Sequence, residues 1–287
     1  MLRELLQAEN AFTLEAADLA SHKAILRVHG REYVDRFLDG TLDKRVMRQI
    51  GLPWSPELVT RTLASAGATL GATELAIKRG FGRTLAGGTH HAFREQGTGF
   101  CVFNDLAIAI EWARAEYGIE RAAIVDLDVH QGDGTASIFA GDRGIFTLSL
   151  HGARNFPFRK QKSSLDVELP DFANDERYLA ALEPALREVW KFSPQLVLYQ
   201  AGVDGLQSDR LGRLALTLDG LRQRDLAVIA GAHSRKIPLV VTIGGGYADP
   251  IKDTVKANAQ TFLTAAQIHL SDRSVRVPFQ PKSLPEP

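Results

Sequence analysis

The stretch IVDLDVHQGDGT, residues 124–135, sets Asp126, Asp128 and His130 at alternate positions and adds Asp133 just beyond them. In a β-strand, residues two apart share a face. The three polar groups would then line one side, with Leu127 and Val129 on the other. Unpaired buried charge costs on the order of several kcal/mol, and a metal ion would compensate it. The same residues fail as a calcium loop, which needs Gly at its sixth position and Glu at its twelfth. Counting from Asp126, those positions hold Gln131 and Ser137. Capping the helix expected after Gly134 would use one aspartate, not three.

The motif GGTHH contributes His90 and His91. Beside three aspartates on a neighbouring strand, the pair suggests two His–Asp dyads, because a carboxylate on one ring nitrogen fixes the tautomer and raises basicity. General-base catalysis needs that arrangement. In GGGY, no Lys-Ser/Thr follows the glycines and the spacing fits no dinucleotide fingerprint. Gly244 to Gly246 are therefore read as a bend that turns Tyr247 into the site. Cys101 reads as a buried, inert thiol. Ser55 reads as an N-cap with Pro56 at the first helical position. His22, His29, His233 and His269 lie in helical or loop contexts and read as structural.

These residues must be positioned by regular elements. Apolar, β-branched runs predict strands over 84–86, 122–128, 144–150, 196–200 and 238–243, and helical periodicity predicts helices over 56–78, 105–117, 176–191, 218–233 and 251–270. Strands apolar on both faces that alternate with helices argue for a parallel sheet covered on both sides. The expected fold class is a single-domain, three-layer α/β/α arrangement around a central, mostly parallel sheet. In open parallel sheets, ligands bind outside the carboxyl ends of the strands. His90 and His91, the 126–133 group, His151, Asp204 and Tyr247 all fall at such ends.

Composition narrows the chemistry further. The 287 residues carry 34 Lys plus Arg against 34 Asp plus Glu, which leaves no basic excess to bind nucleic acid directly. The charged first twenty residues exclude a signal-peptide core, and no apolar run reaches membrane-spanning length. The expectation is a soluble, cytoplasmic protein without a membrane partner. Cys101 is the only cysteine, so a metal must rest on His and carboxylates.

Taken together, GGTHHAF, GTGFCVFND, VDLDVHQGDGT, SLH, QAGVDGLQSDRLG and GGGY resemble the zinc-dependent histone deacetylase family. DVHQGDG and SDRLG are most similar to its class IV branch and to bacterial deacetylase-like amidohydrolases. The resemblance implies an arginase/deacetylase-like fold over residues 1–276, with a Pro-rich tail at 277–287 and with the family's usual first strand absent. It implies Zn2+ on Asp128, His130 and Asp204, with Fe2+ chemically able to take its place. It implies His90 paired with Asp126, His91 paired with Asp133, Tyr247 as oxyanion donor, and Gly99 and Phe100 lining an acyl tunnel. A structural K+ or Na+ near Asp126, Asp128, His130, Ser149 and Leu150 is a further implication. The implied activity is removal of acetyl or longer acyl groups from lysine side chains or related amines, acetylpolyamines among them. Two rival readings are a binuclear-manganese ureohydrolase, which needs carboxylates bridging two ions, and a non-catalytic acyl-lysine binding protein.

Overall fold

The computed structural model describes residues 1–9 and 12–271. The expected tail at 277–287, and the end of the expected catalytic domain at 276, lie outside the described residues. In chain order the elements are α1 (Leu2–Ala8), α2 (His22–Ile25), α3 (Arg31–Leu38), α4 (Lys44–Ile50), α5 (Pro56–Arg79), β1 (Phe81–Arg83), α6 (Asp105–Tyr117), β2 (Ala122–Asp126), α7 (Asp133–Ile138), β3 (Ile145–Gly152), β4 (Leu165–Leu169), α8 (Asp175–Lys191), β5 (Leu196–Gln200), α9 (Leu218–Ser234), β6 (Leu239–Thr242) and α10 (Ile251–Ser271). The six strands form one sheet in the order β1-β6-β5-β2-β3-β4, and every pairing is parallel.

Strand alternation divides the core in two. Ala122, Ile124, Leu196, Leu198 and Val240 face one side, where they pack with Ala66 and Ala76 of α5 and with Leu106 to Ile110 of α6. Ala123, Val125, Val197, Tyr199 and Val241 face the other and pack with residues of α8, α9 and α10. Burying both faces is what makes these strands read as continuous apolar runs. The three-layer, parallel α/β/α class expected from sequence is the observed one.

Helix limits follow local capping. Ser55 accepts from the Leu58 amide at 3.1 Å and Pro56 occupies the first turn of α5. Asn104, Asn174 and Thr217 cap α6, α8 and α9 in the same way. Such side chains satisfy amides that have no partner inside the helix.

The strands require three corrections. The first lies at Phe81–Arg83, not at 84–86. Gly82 allows this, because a Cβ there would sit 1.8 Å from the Ala72 carbonyl oxygen of α5. The bare backbone lets the helix lie directly on the strand. The edge strand β4 went unforeseen because LDVEL exposes Glu168, only partly covers Asp166 and fully buries Leu169 alone. Finally, β2 ends at Asp126, so the expected 122–128 strand is two residues too long.

The register explains where function gathers. Asp126 stands opposite Ser149 on β3 and Gln200 on β5, and Gln200 stands opposite Thr242 on β6. β2, β5 and β6 therefore end level, β3 runs on to Gly152 beside them, and the loops that leave these strands share one rim.

Candidate active site

Since β2 stops at Asp126, a shared strand face is not what aligns Asp128 and His130. Instead, the side chains of Asp126 and Asp128 each bond the backbone two residues on. Asp126 Oδ1 accepts from the Asp128 amide at 3.2 Å, and Asp128 Oδ1 from the His130 amide at 2.9 Å. These are the turns that Asp readily forms with its own backbone. Asp204 arrives on the loop after β5, where its Oδ1 accepts from the Val129 amide at 2.8 Å. His130 Nδ1 thereby lies 3.0 Å from Asp128 Oδ1 and 3.1 Å from Asp204 Oδ2.

One donor atom from each of Asp128, His130 and Asp204 lies within 4.8 Å of the other two. Among the described residues it is the one such convergence of three or more His, Cys, Asp or Glu. Both carboxylates are buried, at 1% and 0% exposure. Burial and the charge of Asp128 push Asp204 up to about 7. For Asp128 burial acts upward too, but His90 and His130 outweigh it and hold the acid well below its usual range. Burial opposes charge on His130, yet hydrogen bonds to Asp128 and Asp204 lift it to about 11. The three groups together demand a positive charge among them. A divalent ion on one imidazole nitrogen and two carboxylates fits that demand and leaves coordination positions open, as catalytic zinc sites do.

The loop after β6 closes over this group. Gly245 donates its amide to Asp128 Oδ2 at 2.8 Å, and Gln200 Nε2 reaches the same oxygen at 2.9 Å. A Cβ on Gly245 would lie 1.9 Å from Asp204 Oδ2. None of Gly244, Gly245 or Gly246 has φ in the left-handed region. Gly244 and Gly245 allow close approach to Gln200, Asp204 and Asp128, while a Cβ on Gly246 would meet Thr254 and Val203. Tyr247 follows, 37% exposed, with its amide donating to Asp209 Oδ2 at 2.6 Å. Partial burial and the charges of Asp128 and Asp204 raise its phenol above the usual value.

His90 Nδ1 donates to Asp126 Oδ2 at 2.6 Å and His91 Nδ1 to Asp133 Oδ1 at 2.7 Å. The rings are 4.1 Å apart between centroids and both are buried. Their protonation nevertheless differs. Burial pulls His90 down, but Asp126 and Asp128 outweigh it and lift the imidazole to about 9. Burial and then the His90 charge carry His91 down to about 4, against the pull of Asp133. Neighbouring groups driven apart in this way take different roles in acid–base chemistry. Asp133 also opens α7, with its Oδ1 accepting from the Gly134 amide at 3.0 Å.

Gly99 and Phe100 both take positive φ, +54° and +66°. A Cβ on Gly99 would approach His91 Cδ2 to 2.7 Å, so this backbone runs against the His91 ring. Phe100 donates its amide to the Ile50 carbonyl and leaves half its surface exposed. Its ring centroid lies 6.5 Å from that of Tyr247. Two neighbours were not foreseen in the sequence. Gln200 could have been, as a polar residue ending an otherwise apolar strand. Phe156, edge-on to His91 with centroids 4.9 Å apart, lies in a loop without periodicity and gave no signal. Cys101 is buried and its thiol pushed up by that burial, in keeping with an inert side chain. Hard monovalent cations take oxygen ligands. Asp126 and Ser149 are register partners on β2 and β3, where the Asp126 carboxylate accepts from His90 and from the Asp128 amide and Ser149 Oγ lies 2.9 Å from His151 Nδ1.

The Histone deacetylase domain family matches residues 1–265. An uncharacterized protein of Picosynechococcus sp. is 44% identical over 243 residues, which is 84% of this chain and 81% of that protein. The histone deacetylase-like amidohydrolase of Pseudomonas aeruginosa is 31% identical over 259 residues, covering 82% of this chain and 66% of its own length. The chain thus spans slightly under two thirds of that relative. By structure, an HDAC homolog from Aquifex aeolicus superposes with a TM-score of 0.79 at 26% identity, over 93% of this chain and 76% of the other.

Proposed function

The chain belongs to the histone deacetylase domain family, and from that premise we propose that it is a metal-dependent amidohydrolase that removes acetyl or longer acyl groups from lysine side chains or related amines. The observation that carries this reading is the convergence of Asp128, His130 and Asp204 beside a neutral, carboxylate-bound His91. Zn2+ suits that donor set, and Fe2+ would satisfy it as well. When bound there, such an ion supplies Lewis acidity, which polarises the amide carbonyl and makes water easier to deprotonate.

The chain's own residues perform the remaining steps. With Nδ1–H committed to Asp133, His91 presents Nε2 as a lone pair, takes the proton of the attacking water and later delivers it to the leaving amine. His90, carrying its charge against Asp126, offsets negative charge developing next to it. Tyr247 donates to the oxyanion of the tetrahedral intermediate. Gly99, Phe100 and Phe156 form apolar walls along which an acyl-lysine stem can lie. The products are a free amine and a carboxylate. A monovalent cation between the end of β2 and the adjoining part of β3, K+ or Na+, would stiffen the strand that leads into the metal ligands.

Metal analysis of the purified chain, combined with a panel of acetyl-, octanoyl- and myristoyl-lysine peptides and acetylpolyamines, tests the reading. One transition metal per chain and turnover of at least one of these amides is expected, with both lost in Asp128→Ala and in His130→Ala. Full metal content and full turnover in Asp128→Ala would remove the site assignment. A stoichiometry of two metals would instead favour the ureohydrolase reading, and metal binding without hydrolysis the acyl-lysine binding one.

A further inference from the structure

Arg224 is an unusual residue to find in a core. It projects from α9 with a side chain only 1% exposed, although a buried charge costs several kcal/mol in desolvation as an order of magnitude. Its partners are the Asp225 carboxylate, with Nη2 2.8 Å from Oδ1, and three backbone carbonyls. Nη1 donates to the Gly202 oxygen at 2.5 Å and, more weakly, to the Leu127 oxygen at 3.4 Å, while Nη2 donates to the Ala201 oxygen at 3.3 Å. Leu127 immediately precedes Asp128, and Ala201 and Gly202 lead into Asp204. One guanidinium therefore bridges the two loops that deliver the converging carboxylates.

The amides of two of these residues are already tied to neighbouring strands. Leu127 N–H donates to Gln200 O and Ala201 N–H to Thr242 O. Where the strands stop, their carbonyls run out of ladder partners, and a buried carbonyl without a partner is costly. Only Arg offers donors in a rigid planar fork that can serve two chain segments at once. The fork is itself held. Nε donates to Asp225 Oδ1 at 2.9 Å, and Asp225 accepts from Tyr199 of β5 at 2.5 Å and from Thr261 of α10 at 2.6 Å. Sheet and helices together thus fix where the guanidinium sits.

We propose that Arg224 is the positioning residue of the metal centre: by holding the carbonyls of Leu127, Ala201 and Gly202 it sets the separation between the loop bearing Asp128 and His130 and the loop bearing Asp204. Stability alone explains the residue poorly, because well-packed apolar residues often replace a buried ion pair without loss of stability. Metal ligation, by contrast, tolerates errors of only about 0.2 Å. Groups that orient ligands typically change metal affinity by roughly 10–100-fold when removed.

The inference rests on the metal reading of the site, and direct zinc titration of the full chain separates the two. Competition against a chromophoric chelator gives the Zn2+ affinity, and thermal unfolding of the metal-free protein gives stability. The first variant is Arg224→Met with Asp225→Asn, which removes both charges while the new amide oxygen can still accept from Tyr199. The second is Arg224→Lys, whose single ammonium cannot span both loops. The expected result is roughly tenfold or greater weakening of zinc in the double variant and at least threefold in Arg224→Lys, with the Co2+-substituted absorption spectrum altered in both. Zinc affinity within threefold of wild type in the folded double variant, with only the melting temperature lowered, would overturn the proposal and leave Arg224 a structural residue. Should the double variant not fold, Arg224→Lys decides by the same threefold limit. Failure of the wild type to bind zinc would refute the metal centre itself.

Discussion

At the scale of single residues, Tyr247 offers the sharpest test. It touches none of the three converging residues by hydrogen bond, yet partial burial and then the charges of Asp128 and Asp204 raise its phenol. Tyr247→Phe should therefore keep its metal and lose roughly 100-fold or more in kcat, the scale for one oxyanion donor. Steady-state kinetics alongside metal analysis would check this, and wild-type turnover in the variant would leave the hydroxyl without a catalytic part. Much of the candidate site's geometry was legible in the sequence because polar residues at the ends of apolar strands have few bland explanations. Asp126, Asp133 and the two histidines were visible in that way. What sets Asp128 and His130 was misread, since alternation suggested a strand face where consecutive side-chain-to-backbone turns operate. Nor could the sequence distinguish a glycine that bends from one that makes room. Gly245 belongs to the second kind, and only the placement of Asp204 against it reveals that.

At the scale of elements, helices were easier to read than strands. A capping side chain leaves a local signature, as Ser55 does before Pro56. A three-residue strand such as β1 leaves almost none, and its position depends on a helix that precedes it in the chain and packs across it. The contact of Gly82 with α5 provides the measurement. A methyl group 1.8 Å from the Ala72 oxygen cannot be accommodated without moving helix or strand, and overpacking of this kind typically costs about 1–3 kcal/mol. Gly82→Ala should lower the urea midpoint accordingly while leaving metal stoichiometry at wild type. An unchanged midpoint would mean that α5 and β1 slide apart freely. β4 escaped notice for a different reason. As an edge strand with Glu168 exposed, it follows the pattern by which sheets protect their borders, and that pattern looks like a loop when apolar runs are being sought.

For the whole molecule, stability should depend on pH through a histidine that takes no part in the proposed chemistry. His29 is buried and neutral, donating from Nδ1 to the Phe93 carbonyl at 2.9 Å and accepting from the Asn104 amide at Nε2. Burial draws it down to about 4. Because the folded value lies below the unfolded one, the stability this group allows is complete above about pH 6.5 and is lost as pH falls toward 4. Between pH 7 and pH 5 the linkage amounts to about 2 kcal/mol. His29→Asn should flatten the dependence by that amount in denaturant titrations at the two pH values, and an unaltered slope would exclude His29 as its source. The parts of the candidate site come from loops after β1, β2, β5 and β6, with His130 and Asp204 separated by 74 residues of chain. A ribosome that adds roughly 5–20 residues per second releases the second of these ligands roughly 4–15 s after the first. Throughout that interval a nascent chain holds an incomplete set of donors. A metal ion captured from the cell would therefore find its donors complete only after the first five strands had been made, too late to seed them.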